Sequence, residues 1–129
     1  MEDRMASFCT AINCMDGRVQ LPVIEYLKRH RGVSYVDIVS EAGPALILAQ
    51  QEKPELVNSI MQRVGISIDV HKSKTVAIVA HHDCAGIPEP EARQHDYLRS
   101  AVQYVAQQRP DAAVIGLWVN DAWAVSEVC

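Results

Sequence analysis

No apolar run in this chain approaches the about 20 residues that a membrane-spanning helix needs, so the sequence holds no candidate transmembrane segment. It also lacks an excess of positive charge. Lys and Arg number 12 against 16 Asp and Glu, a formal net charge of -4, whereas nucleic acid and anionic membranes attract the opposite balance. Neither is expected as a partner. The opening Met1-Glu2-Asp3-Arg4 is acidic, unlike the basic start and apolar stretch of a secretory signal, and a cytoplasmic location is the expectation. Internal repeats and low-complexity segments are absent as well. In such a chain the four cysteines, Cys9, Cys14, Cys84 and Cys129, are expected as thiols or metal ligands rather than bridges, because the cytosol is reducing.

What is present is an alternation of strand and helix patterns. At 129 residues the chain fits one domain, 1–129, with a core of its own. Phe8 to Ile12 is a short apolar strand, and Asn13 to Arg18 is its exit loop, where Gly17 permits a sharp turn. A helix follows, with Pro22 near its first turn, Val23, Ile24 and Leu27 on one face, basic residues Lys28 to His30 near its end, and Gly32 as its stop. Val33 to Val39 alternates as a half-covered strand. Ala45 to Leu48 is apolar throughout and is either a short helix or part of an interface. A second helix pattern starts near Pro54 and runs through Val64, with Gly65 expected to close or bend it.

Thr75 to Ala80 is a nearly unbroken apolar run, the mark of a central parallel strand covered on both faces. Pro90 to Gln108 is a long helix pattern with Tyr97, Ala101, Val102, Tyr104 and Val105 as inward candidates, stopped by Pro110. Ala112 to Val119 is a last strand, and Asn120 to Cys129 either pairs at a sheet edge or lies along a partner chain. The expected fold class is therefore α/β, a single domain whose central, mainly parallel β-sheet is flanked by helices.

Two loops carry the chemistry. Cys14-Met15-Asp16-Gly17-Arg18 leaves the first strand, and His81-His82-Asp83-Cys84 leaves the central one. Both fall beyond the carboxyl ends of parallel strands, the rim where ligands collect. Cys14, His81 and Cys84 supply two thiols and an imidazole, a donor set that suits Zn2+. Asp16 and Arg18, two positions apart, are able to form a charge-assisted pair. Asp16 then has two options: it ligates the metal as a fourth donor, or it turns to Arg18 and leaves room for water. Cys9 and Cys129 are read as small buried hydrophobes. His82 and Asp83 either orient a ligand or are polar loop residues, and His30, His71 and His95 are given no role.

The combination of Cys14-x-Asp16-x-Arg18 with His81-x-x-Cys84 after a Val/Ile-rich strand resembles the two zinc motifs of the β-class carbonic anhydrases. The resemblance extends to Ile38 through Gly43, in the place of that family's Arg-Asn-Ala-Gly segment, and to Val114 through Asp121, similar to its last core strand and turn. It covers the chain from Phe8 onward. What it implies is a zinc enzyme that hydrates carbon dioxide to bicarbonate by a zinc-bound hydroxide, with Asp16 and Arg18 as catalytic residues. It also implies an intertwined dimer. The chain is short for that family and is expected to lack its N-terminal helical arm. Ser40-Glu41 replaces Arg-Asn, and Ala80 and Ala85 stand where glycines commonly flank the second motif.

These departures leave the metal ligands intact and fall on the substrate side. Carbonyl sulfide or carbon disulfide is the alternative substrate, and a non-catalytic zinc-binding structural or regulatory module is the alternative role. A dry pocket is expected around Ala42, Gly43 and Leu46. Apolar Ala45 to Leu48, together with Trp118 and Trp123, points to a contact with a second copy, hence a homodimer or higher homo-oligomer.

Overall fold

The apolar run Thr75–His81 forms the middle strand of the sheet, here β3, and every residue after its first is buried. A computed structural model of the protein describes residues 6–129, and the acidic opening Met1 to Arg4 lies outside them. The chain enters through β1 (Phe8–Cys14), passes a short 3-10 turn (Gly17–Val19) and α1 (Gln20–Arg31), and returns as β2 (Tyr35–Glu41). Helices α2 (Pro44–Gln50) and α3 (Pro54–Asp69) lead into β3, and α4 (Glu91–Gln108) leads into β4 (Ala113–Val119) and β5 (Val125–Glu127). The sheet order is β2-β1-β3-β4-β5. The first four strands run parallel and β5 pairs antiparallel with β4. The tail thus pairs at an edge within its own chain.

This order has a consequence for function. The chain moves outward from β1 to β2 and then crosses back to β3 on the other side of β1. Between β1 and β3 the winding direction reverses, and at such a switch point the loops after the two strands part and leave a crevice. Cys14 closes β1 and His81 closes β3. Right-handed crossovers place α1 on one face and α2, α3 and α4 on the other. The contacts agree, since α1 packs on β1, β2 and β5 while α2 packs on α3, α4 and β3.

Local sequence accounts for most element ends. Gly32, at φ +65°, takes the left-handed conformation that closes α1 by returning its N–H to the Lys28 carbonyl. Pro44 and Pro54 start α2 and α3, where a missing N–H costs nothing. Gly65 does not close α3. The helix continues to Asp69 because Ile68 and Ser67 extend its buried face, and a Cβ at Gly65 would find only ordinary contacts. Inward residues of α4 include Gln94 and Leu98 besides Ala101 and Val105, while Tyr97, Val102 and Tyr104 are only partly buried. Among the described residues no helix is long and apolar enough to cross a membrane.

Of the residues expected to meet a second copy, Leu46, Ile47 and Trp123 are half-buried and the others are covered within the chain. Ala45 and Leu48 of α2 are fully buried, and Trp118 of β4 is 5% exposed. Their apolar character reports the chain's own core. Among the described residues the exposed large apolar side chains are instead Met15, Leu21, Tyr35, Ile66 and Val70.

Candidate metal centre

Cys14, His81 and Cys84 converge as their spacing suggests. Their ligating atoms all lie within 4.8 Å of one another, and all three residues are buried. The two Sγ atoms stand 3.8 Å apart, too far for a disulfide bond, whose S–S length is about 2.05 Å. His81 sets its Nδ1 2.7 Å from the His82 carbonyl oxygen, so Nδ1 carries the proton and Nε2 presents a lone pair. That Nε2 is buried with no hydrogen-bond partner. An orphaned imidazole nitrogen facing two thiols is costly unless something bound there accepts its lone pair. The donors present therefore fit Zn2+.

The backbone is built to hold negative charge on the sulfurs. N–H groups of Gly43 and Asp16 point to Cys14, and those of Gly86 and Ile87 to Cys84. Gly43 and Gly86 make this possible through the close approach of the loops after β2 and β3. A Cβ on Gly86 would come within 2.6 Å of the Ala42 carbonyl carbon, and one on Gly43 within 2.9 Å of the Gly86 carbonyl carbon. Gly43 also requires its φ of +63°. The Cys84 thiol bonded to Cys14 holds the Cys14 thiol well below its ordinary range, against the effect of burial. The same bond, and burial after it, push Cys84 up. Burial pulls His81 down, but Cys14, the His82 carbonyl and Asp16 outweigh it and its net shift is upward.

Asp16 and Arg18 meet in the orientation that leaves the carboxylate off the thiols. Arg18 Nε donates to Asp16 Oδ1 at 3.0 Å and Nη2 donates to Oδ2 at 2.7 Å, a two-pronged pair. The Arg18 backbone N–H adds a third bond to Oδ1 at 2.9 Å. These bonds hold the Asp16 pKa down to about 2, the side-chain bond to Arg18 contributing most. Asp16 Oδ2 still lies 4.0 Å from His81 Nε2. The carboxylate stands beside the three donors.

Several neighbours carried no clear signal in the sequence. Gln20 Nε2 donates to the Cys14 carbonyl at 2.6 Å and to the Asp16 carbonyl at 3.2 Å, tying the loop to α1. Asp83 and Trp123 both contact Arg18, and only the folded hairpin brings Trp123 there. For Gly86 the sequence offers one signal, a glycine two residues after Cys84. His82 stays in the site through its carbonyl, whereas Cys9 is buried in the core and Cys129 is half-buried. A cavity of about 200 Å³ opens beside Ala42, Gly43 and Leu46, and Glu41, Glu52 and Lys53 also line it. The expected dry pocket is therefore charged at its margin.

Fold and site together define an α/β domain with a two-thiol, one-imidazole cluster at the switch point of a parallel sheet. A family described as "Putative carbonic anhydrase" matches residues 4–129, and the chain belongs to the carbonic anhydrase family, with the β-class fold. The chain superposes on a carbonic anhydrase from Glaciozyma antarctica with a TM-score of 0.65 at 11% identity, covering 94% of this chain and 81% of that one. It is similar to the tetrameric β-carbonic anhydrases of Sordaria macrospora, with a TM-score of 0.62, 10% identity and coverage of 95% and 80%. A β-carbonic anhydrase of Aspergillus fumigatus gives 0.61 at 12% identity, covering 96% of this chain and 90% of that one. At these identities the likeness establishes the fold alone. No curated protein matches the sequence.

Proposed function

We propose that this protein binds one zinc ion through Cys14, His81 and Cys84 and hydrates carbon dioxide to bicarbonate. The observation that carries the reading is the two-pronged capture of Asp16 by Arg18. It leaves three protein donors converging rather than four, the arrangement of a catalytic rather than a closed zinc site. Zinc held in this way supplies Lewis acidity that makes water a nucleophile near neutral pH.

The chain's own residues supply the rest. His81 binds through Nε2 while the His82 carbonyl fixes its tautomer. The N–H groups directed at the two sulfurs favour the thiolate form of each, the form that a bound zinc requires. Asp16, ionised throughout the physiological range, accepts a hydrogen bond from the attacking water and so aims the oxygen lone pair at the substrate carbon. Arg18 keeps Asp16 charged and turned away from the sulfurs. A second reading, a closed zinc site with a structural role, is favoured by one distance: Asp16 Oδ2 lies only 4.0 Å from His81 Nε2.

Stopped-flow carbon dioxide hydration on zinc-loaded protein separates the two. Hydration well above the buffer rate, with about one zinc per chain, supports catalysis. Zinc-loaded protein inactive at every pH overturns it. Self-association is part of the proposal, supported by the open edge of β2, where Tyr35 is 51% exposed, and by exposed Ile66 on α3 and Val70 just after it. A monomer by light scattering at micromolar concentration overturns that part.

A further inference from the structure

Arg18 is gripped by more than Asp16. The Trp123 ring lies over its guanidinium, with Cζ 4.6 Å from the ring centroid. Nη1 donates to Asp83 Oδ2 at 3.3 Å, and Nη2 donates to the Asp83 carbonyl at 3.2 Å. Both gripping residues have left-handed backbones, Asp83 at φ +58° and Trp123 at φ +60°. Among the described residues only four non-glycine positions do so, the others being Gln51 and Lys72. A backbone of this kind opposes a Cβ and persists where its surroundings enforce it. Half of these positions converge on one guanidinium.

The turn that presents Trp123 is itself firmly built. Asn120 Oδ1 accepts from the backbone N–H of Ala122 at 2.9 Å and of Ala124 at 3.0 Å. The Trp123 N–H donates to the Asn120 carbonyl at 2.9 Å. His82 meets the ring edge-on, with centroids 6.3 Å apart. Arg18 would otherwise be loosely placed, since 46% of its side chain is exposed and such a chain has many rotamers.

We propose that Trp123 and Asp83 are positioning residues that act through Arg18, holding its guanidinium so that Asp16 stays paired and off the metal donors; this rests on the zinc reading of the site. The β4–β5 turn then sets the state of the site through Arg18. Released from the grip, Arg18 spends part of its time in solvent, and Asp16 is free to move toward His81.

The test uses the full chain with Trp123→Leu, Trp123→Phe and Asp83→Asn. It measures zinc per chain, carbon dioxide hydration, and the Arg18 Nε–H signal in 15N spectra, identified by its loss in Arg18→Lys. Trp123→Leu is expected to keep its zinc, lose the ring-current shift of the Arg18 signal, broaden that signal by solvent exchange, and lower turnover about fivefold, the scale of an exposed cation–π contact. Trp123→Phe, which keeps a ring face, should restore most of both. A Trp123→Leu protein with wild-type turnover and an unbroadened Arg18 signal overturns the proposal, as does a Trp123→Phe protein that falls as far as Trp123→Leu. If Trp123→Leu does not fold, Asp83→Asn decides, because its side chain is 70% exposed: a broadened Arg18 signal supports the grip and an unchanged one overturns it. If wild-type zinc protein fails to hydrate carbon dioxide, the functional reading fails, and the Arg18 signal alone still decides the grip.

Discussion

Two polar clusters lie in this domain, and they differ in what they leave unpaired. Under α3, Thr10 donates to Ser67 at 2.7 Å, Ser67 and Ser73 share a 2.7 Å bond, and Asp37 Oδ2 stands 2.7 Å from both Ser67 Oγ and His71 Nδ1. Every partner comes from the chain itself. At the rim, the three donors Cys14, His81 and Cys84 face inward and His81 Nε2 has no partner. A serine, an aspartate and a histidine in contact resemble catalytic chemistry as strongly as two cysteines and a histidine do. Satisfaction separates them, because a completed network rigidifies a fold while an incomplete one awaits a ligand. Three other orphaned atoms, Asn13 Oδ1, Gln94 Oε1 and His95 Nε2, do not blur this, the last lying 3.2 Å from Glu91 Oε2. Both amides are anchored through nitrogen, to the Val19 and Glu89 carbonyls.

The largest way to break the contrast is to remove a rim donor. Cys84→Ser should lower zinc affinity by more than the about 10- to 100-fold that loss of an outer partner costs. Elemental analysis and melting with and without chelator check it. Chelator should lower the wild-type Tm and leave the variant's unchanged, because binding energy at such a site is folding energy. Next come the paired residues. Asp16→Asn should keep zinc and lose about 10²-fold or more in hydration, the usual scale of a proton-transfer group. Arg18→Ala should likewise keep zinc and lose activity, as Asp16 moves to the metal. Loss of zinc in Asp16→Asn, with no hydration by wild type, would sink the catalytic reading.

Much of the rim was legible because parallel strands bury both faces. The apolar runs Phe8 to Ile12 and Thr75 to Ala80 announce covered strands, and their exits place Cys14 and His81 whatever the details between. Helix ends were less legible. Gly65 looks like a stop, yet nothing at that position requires a glycine, and Ile68 three residues on keeps the buried face going. Ala45 to Leu48 left helix and interface open because so short a run shows no period. The grip on Arg18 was illegible for a different reason: it depends on an antiparallel turn that brings Trp123 across to the first loop, and no local pattern encodes that distance.

A smaller effect tests the other cluster. Ser67→Ala removes the hydroxyl that joins Thr10, Ser73 and Asp37, leaving buried hydroxyls without their partner. The cost should be about 1–3 kcal/mol, read as a lower urea midpoint. Zinc content and hydration should not move. A Ser67→Ala protein that lost zinc would mean that the two clusters are coupled through β1, which carries both Thr10 and Cys14, and the contrast between them would have to be redrawn.

The smallest effect concerns an arginine and carboxylates remote from the metal donors, chemically like Arg18 and Asp16. Arg109 Nη2 donates to Asp69 at 2.6 Å and to Asp111 at 2.8 Å, with Nε and Nη1 adding longer bonds. Its side-chain bonds hold both carboxyl pKa values below the ordinary range. A carboxylate with a depressed folded pKa adds stability that is fully present above its unfolded value, about 3.9 for Asp. The contribution fades as pH falls through the folded values, because the unfolded chain takes up its protons first. Wild type should therefore exceed Arg109→Met in Tm by a constant small margin from pH 5 upward, and the margin should shrink below about pH 4. Both carboxylates are exposed, so 0.5 M salt should narrow the margin at neutral pH as well. Hydration and zinc content should stay at wild-type values, since in the proposed function it is the pair beside His81 that controls the metal site. A margin that grew as pH fell would reverse the sign and remove Arg109 from the account of acid stability.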